Sequence, residues 1–173
     1  IINSMRMHSI FIEETERLKR LLIGMGMSYD DGEDVLQDVY LEALQRPPKY
    51  GNPEENVRWL MRVTINKCTL KFRQRKQNTR AEKEFVQINA GNEKIKLSPD
   101  CDVISNEETQ AMRLCLNEMD ESLKVPLVMK YFCGLNSSQI SEVLELKSGT
   151  VRKRLFEGRL ILAEMLSKKG IKP

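Results

Sequence analysis

Residues 140–155, ISEVLELKSGTVRKRL, combine an apolar helical pattern with a strongly basic one. From Ile140 onward, apolar side chains recur at i, i+3 and i+4, the spacing that places them on one face of a helix. The spacing then breaks and resumes at Val151 and Leu155, with three basic residues between them. Two short helices joined by a tight turn are typical of a helix-turn-helix, whose second helix enters the DNA major groove. The stretch therefore predicts a helical DNA-binding unit.

The composition of the chain indicates which broad class of protein it belongs to. The 173 residues are 40% hydrophobic and 31% charged, with a formal net charge of +3. This balance is too mixed for a disordered chain, and no apolar run approaches the roughly 20 residues that a membrane span needs. The first residues, IINSMRMHS, show no secretory signal pattern. We therefore expect a soluble, cytoplasmic protein of one or two small domains, without membrane insertion.

The cysteines and the histidine argue against a metal site or a catalytic nucleophile. Cys68, Cys101, Cys115 and Cys133 lie far apart and form no CxxC pair. Reduced and mostly buried thiols are the expected state. His8 is the only histidine, so a Ser-His or Cys-His pair has no second candidate. We predict no catalytic residue, no metal, no cofactor and no small-molecule substrate.

Charge is segregated along the sequence. Residues 30–42 carry six acidic side chains and no Lys or Arg, whereas residues 58–83 carry nine cations and one acid. A clustered set of cations attracts nucleic acid, and a clustered set of acids repels it. The chain therefore has one surface suited to nucleic acid and another suited to a basic partner.

Helical periodicity runs through most of the chain, and strand signals are nearly absent. We predict helices over about 11–25, from an N-cap at Asp30 or Asp31 to about 46, and over about 57–76, 107–118 and 121–132, followed by the two helices of the helix-turn-helix. Residues 78–103 are polar and lack a clean period, which is typical of a linker. The predicted architecture is all-α: two small helical domains, 1–78 and 107–173, joined by a flexible linker at 79–106.

The basic segment predicts a helix with a DNA-binding face. At 100° per residue, cations, an amide and a hydroxyl fall within an arc of about 80°. These residues are Arg58, Arg62, Asn66, Thr69, Arg73 and Lys76. Trp59, Val63 and Leu70 form an adjoining apolar stripe that we expect to pack. Solvated helices normally pair Glu with Lys at i, i+4, and such acids are missing here, so nucleic-acid contact is favoured over a solvated basic face.

The acidic segment predicts a helix with a polar face and a buried face. The polar face carries Asp34, Gln37, Asp38 and Glu42, and the buried face carries Leu36, Tyr40, Ala43 and Leu44. These acids lie along one helix, whereas a metal-dependent nuclease needs acids that converge from several elements. Two interpretations stay open: a solvated helix start, and a docking face for a basic partner protein.

Three stretches, in order and at family spacing, resemble the extracytoplasmic-function (ECF) sigma factors of bacterial RNA polymerase. Residues 31–44, DGEDVLQDVYLEAL, resemble the core-binding helix of region 2. Residues 58–76, RWLMRVTINKCTLKFRQRK, are similar to the segment that melts the promoter and reads the minus-ten element. Residues 131–159, YFCGLNSSQISEVLELKSGTVRKRLFEGR, are similar to region 4. The helix-turn-helix alone would be weak evidence, because many regulators share it.

The resemblance implies three groups of site residues. For binding of the polymerase core, they are Asp34, Gln37, Asp38 and Glu42. For the minus-ten element, they are Tyr50, Arg58, Trp59, Arg62, Asn66, Thr69, Arg73 and Lys76. For the minus-thirty-five element, they are Ser148, Thr150, Arg152, Lys153, Phe156 and Arg159. An aromatic side chain such as Tyr50 can stack an unpaired base, and an amide such as Asn66 can read its edge.

Two residues depart from the family pattern. Glu145 occupies a turn position that is usually Gly, and a left-handed conformation there costs a non-Gly residue on the order of 1 kcal/mol. Glu157 stands where a basic residue is frequent, and it places a carboxylate near DNA. The Glu157 carboxylate is unsuited to a phosphate contact. It can instead accept a hydrogen bond from the amine of a cytosine.

The resemblance also implies the partners and the function. The partners are the clamp helices of the largest polymerase subunit, the flap of the beta subunit, promoter DNA as duplex and as melted single strand, and an anti-sigma factor. The implied function is that of an alternative sigma factor without catalytic activity. Two rivals are a dimeric helix-turn-helix regulator that acts without the polymerase and a nucleic-acid enzyme; the missing His pairs and scattered acids count against the enzyme.

Overall fold

The computed structural model of the protein describes residues 2–49, 51–85 and 107–171, and these form α-helices without a strand. The helices are α1 (Ile2–Gly24), α2 (Tyr29–Gln45), α3 (Pro53–Phe85), α4 (Glu107–Glu118), α5 (Glu121–Tyr131), α6 (Ser137–Leu144) and α7 (Ser148–Lys168). They form two groups in chain order, α1–α3 and α4–α7. The predicted all-α class is confirmed.

Helix α2 begins with a reciprocal cap. The Ser28 hydroxyl accepts a hydrogen bond from the Asp31 amide and donates one to the Asp31 carboxylate, at 3.3 and 2.7 Å. This satisfies an amide that the first helical turn leaves free. The prediction of Asp30 or Asp31 as the N-cap is wrong, because both lie in the first turn. There their charges still favour the positive end of the helix dipole.

Helix α3 is longer than predicted at both ends. It runs from Pro53 to Phe85, whereas the periodicity predicted about 57–76. Proline suits the first helical position, whose amide needs no partner, and the Asn52 side chain accepts a hydrogen bond from the Glu54 amide at 3.0 Å. Residues 77–85 contain no Gly or Pro and several good helix formers, so the segment assigned to the linker begins as helix.

One hydrophobic core joins both groups of helices. Its buried side chains include Leu18 and Leu22 of α1, Val39 of α2, Leu60 and Cys68 of α3, Leu116 of α4, Leu127 and Val128 of α5, Ile140 of α6 and Val151 of α7. Side chains of α5 pack directly against the backbone of α1, since a Cβ added at Gly24 would lie 2.5 Å from Val128 Cγ1. The sequence did not predict this direct contact between the groups.

The thiols in the described residues are buried. Cys68, Cys115 and Cys133 are free, in agreement with the prediction, and Cys101 lies outside the described residues. Burial raises the pKa of Cys68 to about 12 and that of Cys133 to about 11. Both thiols are therefore protonated and unreactive at neutral pH.

Two further findings concern the described residues as a set. None of their helices has the length and apolar character needed to cross a membrane. In the same residues, no group of His, Cys, Asp and Glu side chains is arranged to hold a metal ion.

Candidate polymerase and nucleic-acid interfaces

Helices α6 and α7 form the predicted helix-turn-helix. Asn136 and Gln139 build a capping box at the start of α6: each side chain accepts a hydrogen bond from the other residue's amide, at 2.9 and 3.0 Å. Glu145 ends the helix in a left-handed conformation, with φ 55° and ψ 40°. The expected non-glycine turn is therefore present, and α7 begins three residues later at Ser148.

Helix α7 separates its packing side chains from its basic ones. Val151 and Leu155 are buried against the core. The predicted minus-thirty-five residues Ser148, Arg152, Lys153, Phe156 and Arg159 are exposed, and Thr150 is half-buried. Exposed cations beside an exposed aromatic ring can contact phosphates, base edges and thymine methyl groups in a major groove.

Helix α2 presents a surface of polar and apolar side chains, which we call the α2 outer face and define as Asp34, Gln37, Asp38 and Leu41. All four are exposed, and Leu41 is 51% exposed. The sequence analysis missed Leu41 because it treated apolar residues of this helix as buried. Its spacing of three from Asp38 and four from Gln37 is the signal that places it on this face. An apolar side chain ringed by polar ones is typical of a protein–protein contact.

The buried face of α2 is shifted from the predicted one. Leu36 and Ala43 are buried as predicted, whereas Tyr40 and Leu44 are only half-buried. Val35 and Val39 complete the inner face. Glu42, which was assigned to the polymerase-binding set, turns toward α3, where Lys67 Nζ lies 2.8 Å from its carboxylate.

The acids at the start of α2 pair with the cations in the middle of α3. The Asp31 carboxylate lies 3.3 Å from Lys71 Nζ and also contacts the Arg75 guanidinium, and Lys71 donates to Asp34 at 2.9 Å. Burial alone raises the pKa of Asp31. Hydrogen bonds from Ser28 and Lys71, together with the charges of Arg75 and Lys71, outweigh burial and lower that pKa. The two charge blocks of the sequence thus partly neutralise each other.

The N-terminal part of the predicted DNA-binding face of α3 is covered by α6. The Arg58 guanidinium donates to the Glu142 carboxylate. Arg62 forms an ion pair with Glu145 at 3.1 Å and donates from Nε to the Val143 carbonyl at 2.9 Å. No acid lies four residues after either arginine, as the sequence shows, and their acidic partners come from another helix instead.

Helix α5 covers the middle of the same face. Thr69 is buried, and its hydroxyl donates to Glu121 at 2.6 Å. Beside it, the Lys124 ammonium lies 5.4 Å from the centre of the Phe72 ring. Lys124 is only 8% exposed, and this burial lowers its pKa despite the nearby Glu121 carboxylate. Thr69 therefore does not reach solvent in this arrangement.

The remaining residues of the α3 face are open to solvent. Asn66, Arg73 and Lys76 are exposed, and the two cations have no acidic partner among the described side chains. Tyr50, the predicted stacking residue, lies outside the described residues. The predicted face is therefore divided into a covered half and an accessible half.

The apolar side of α3 differs from the predicted stripe. Trp59 and Val63 pack half-buried against the core, whereas Leu70 is 54% exposed. The inner positions are Leu60, Met61, Thr64, Ile65 and Cys68. Thr64 tolerates burial because its hydroxyl donates a hydrogen bond to the Leu60 carbonyl at 2.7 Å. A hydropathy pattern does not predict such a hydrogen bond within the helix.

The chain is similar to several sigma factors. Residues 109–162 match the family model described as Sigma-70, region 4. The chain is 23% identical to the RNA polymerase sigma-H factor of Pseudomonas aeruginosa over 156 residues, which are 87% of this chain and 80% of that protein. It is 22% identical to the ECF RNA polymerase sigma factor SigW of Bacillus subtilis over 160 residues, covering 87% and 83%. These similarities do not support the dimeric regulator.

Solved structures show the same fold. The sigma factor RpoE of Bartonella quintana, in complex with the anti-sigma factor NepR, matches with a TM-score of 0.64 and 18% identity over 94% of this chain and 95% of that one. CnrH, in complex with the cytosolic domain of CnrY, matches with a TM-score of 0.63 and 16% identity over 97% and 99%. Together with the region 4 match and the sigma-factor relatives, this fold supports the resemblance of the chain to the ECF sigma factors of bacterial RNA polymerase.

Proposed function

We propose that this sigma factor divides promoter recognition among three surfaces. The observation that carries the proposal is that the region 4 match coincides with a complete helix-turn-helix whose recognition helix turns its cations outward. In that assignment Arg152, Lys153, Phe156 and Arg159 of α7 contact the minus-thirty-five element. Ser148 and Thr150 lie at the start of α7, where side chains reach the phosphates that flank the groove.

The α2 outer face is the proposed docking site for the clamp helices of the polymerase. Exposed carboxylates attract a basic partner and speed association, and Leu41 supplies apolar area that stabilises the complex once formed. Glu42 belongs to the same proposed set and is its least available carboxylate, because the ion pair with Lys67 partly neutralises its charge.

Helix α3 and Tyr50 are the proposed minus-ten surface. Asn66 would read a base extruded from the melted strand, and Arg73 and Lys76 would hold the phosphates next to it. Arg58, Trp59, Arg62 and Thr69 would complete the surface once α5 and α6 move away. This assignment accounts for the density of cations along α3.

The remaining proposals concern partners and organisation. An apolar groove of about 330 Å³ lies between α4, α5 and α7 and is lined by Met112, Leu116, Tyr131, Phe132 and Leu162. Its apolar lining suits an apolar helix, and the flap of the beta subunit and an anti-sigma factor are the proposed occupants. We place the protein in the bacterial cytoplasm as a non-enzymatic factor. Its proposed domains are 1–78 and 107–173, with a linker at 79–106 whose first residues, up to Phe85, continue α3.

Reconstituted run-off transcription tests the function. Core polymerase, this protein and a promoter library should yield transcripts that start downstream of shared minus-ten and minus-thirty-five sequences. The absence of specific transcripts, together with tight binding of palindromic duplex DNA by the protein alone, would contradict the proposal.

A charge-reversal pair tests the docking site. Asp34→Lys with Asp38→Lys should abolish co-purification with core polymerase and leave helical content by circular dichroism unchanged, because several opposed charges acting together are worth roughly a few kcal/mol. Glu118→Lys with Glu164→Lys, an exposed pair on the other group of helices, serves as the control. Retained binding by the α2 variant at physiological salt excludes the α2 outer face as the docking site.

A further inference from the structure

We propose that Glu157 of α7 selects a cytosine in the minus-thirty-five element, by accepting a hydrogen bond from the exocyclic amine of that base. The inference rests on the proposed function of α7, and it adds a specificity-determining residue outside the set assigned to this element. It gives the element one position at which the preferred base follows from the chemistry of a single side chain.

Glu157 is an exception in a basic segment. Residues 147–159 carry five cations and, in Glu157, one acid. A carboxylate that faces the phosphate backbone is repelled, so Glu157 lowers the affinity of α7 for DNA of any sequence. A hydrogen bond from a base offsets this repulsion only where the sequence places an amine beside the carboxylate. An acid at this place therefore disfavours most sequences and favours few, which is how a binding site gains specificity.

The packing of α7 turns Glu157 outward. Leu155 is buried, and Gly158 lies so close to α5 that an added Cβ would be 2.9 Å from Leu127 Cδ1. These contacts fix the rotation of α7 about its own axis. At 100° per residue, Lys153 points almost directly away from the packed side, and Glu157 lies about 130° from the centre of that side. The Glu157 side chain is accordingly 45% exposed.

Lys153 places a donor beside the Glu157 carboxylate. Its Nζ lies 3.8 Å from Glu157 Oε1, one helical turn away. The ion pair adds little to stability, because the two side chains are 75% and 45% exposed. A G·C pair presents the complement of this arrangement in the major groove, since the guanine O6 acceptor lies next to the cytosine N4 amine. The two side chains can therefore read both bases of one pair.

The four bases differ in what they present to a carboxylate. Cytosine presents only an amine, whereas adenine presents an amine beside the N7 acceptor. Guanine presents N7 and O6, and thymine presents O4, so both place lone pairs against the negative charge of Glu157. The wild type should therefore prefer cytosine, then adenine, over guanine and thymine at one position of the element.

Substitution of Glu157 should change the preferred base at that position alone. The test uses core polymerase, the full chain and a promoter that the wild type transcribes, with its minus-thirty-five element randomised and the run-off transcripts sequenced. Glu157→Gln should shift the preference to adenine, because an amide pairs with N6 and N7. Glu157→Arg should shift it to guanine, because a guanidinium pairs with O6 and N7. Glu157→Ala should reduce the discrimination roughly tenfold and select no base there.

Glu164→Gln is the matched control. Glu164 lies on the same face of α7, about 10 Å further along the helix. It forms an i, i+4 ion pair of its own, with Lys168 at 2.8 Å, and its side chain is 65% exposed. This variant should keep the wild-type preference at every position, because Glu164 lies beyond the turns that enter the groove.

Removal of the amine from the DNA tests the hydrogen bond itself. The selected cytosine is replaced by its pyrimidinone analogue, which lacks the N4 amine. Holoenzyme with the wild-type chain should bind this promoter roughly tenfold more weakly than the unmodified one. Holoenzyme with Glu157→Ala should bind both promoters equally, since the analogue then removes no contact with residue 157.

The outcomes separate this inference from the proposed function. If the Glu157 variants change transcription equally for all sequences, Glu157 acts only on the phosphates and the inference fails. It also fails if the wild type selects cytosine at no position, or if the analogue binds as well as cytosine. In each of these cases the wild type still transcribes, so the sigma-factor function stands. A wild type that gives no specific transcripts would contradict that function, and the inference with it.

Discussion

The cations of α3 meet acids at two places, and the two sets of ion pairs differ in their environment. Toward α2, Lys71 and Arg75 surround Asp31, whose side chain is only 12% exposed. Toward α6, Arg62 meets Glu145, whose side chain is 71% exposed. The first set lies within one group of helices beside its core, and the second lies between the groups. The same chemistry therefore acts within one group of helices in the first place and between the two groups in the second.

This difference also explains how a basic segment can be misjudged. The nine cations within residues 58–83 suggested a surface suited to nucleic acid, because almost no acids lie nearby in sequence. Folding brings acids from α2 and from α6, and the Arg58–Glu142 contact spans 84 residues. Segregated charge in a sequence thus predicts complementary surfaces, and these can meet within the same chain.

The largest effect should come from the buried set of ion pairs. Asp31→Asn should lower the free energy of unfolding by about 2 kcal/mol, since it leaves Lys71 and Arg75 without their shared charged acceptor. Urea denaturation monitored by circular dichroism measures this, with Asp30→Asn on the same turn as the control. If the two variants lose equal stability, Asp31 has no special role in the fold.

Low pH should remove the stabilisation that the Asp31 carboxylate contributes. The pKa of Asp31 is lowered in the folded protein, so its stabilising effect is fully present above the ordinary carboxyl pKa and is lost as pH falls through the lowered value. The stability difference between wild type and Asp31→Asn should be constant near neutral pH and shrink below about pH 4. A difference that persists unchanged to pH 2 would show that the charge of Asp31 is not its source.

A smaller effect, of opposite sign, is expected at Lys124. Lys124→Met should raise the free energy of unfolding by about 1 kcal/mol, because Met keeps the contact with Phe72 without burying a charge. The folded pKa of Lys124 is lowered, so wild-type stability should rise with pH between that value and the ordinary lysine pKa, and the variant should lack this rise. A clear destabilisation by Met would show that the interaction of the ammonium with Phe72 and Glu121 outweighs its burial.

The smallest effect should come from the exposed ion pairs with α6. Glu145→Gln should change the free energy of unfolding by less than about 1 kcal/mol, and 0.5 M salt should remove most of that change. Denaturation at low and high salt tests this, and Asp31→Asn should keep more of its effect at high salt. Equal salt sensitivity of the two variants would show that the two sets of ion pairs are screened alike and do not differ in their environment.

The sequence predicted the features that depend on local spacing, and it failed where distant residues decide. The helix-turn-helix, the left-handed Glu145 and the bounds of α4 follow from periodicity and turn chemistry within a few residues. The cover over Arg58 and Arg62, and the burial of Thr69 against Glu121, depend on helices more than 50 residues away. The exposure of Leu41 and Leu70 was missed for a different reason: apolar character alone does not show which side of a helix finds a partner.

Strand opening tests the central claim, that the face of α3 captures melted promoter DNA. Asn66→Ala should leave polymerase binding and closed-complex formation intact and reduce the permanganate reactivity of thymines near the start site roughly tenfold or more, since losing a captured base costs about 1–3 kcal/mol. Asn78→Ala, an exposed amide about 120° around the same helix, is the control. A pre-opened bubble template should restore much of the signal. If Asn66→Ala opens a duplex promoter as well as Asn78→Ala does, α3 is only a phosphate-binding helix and the claim fails.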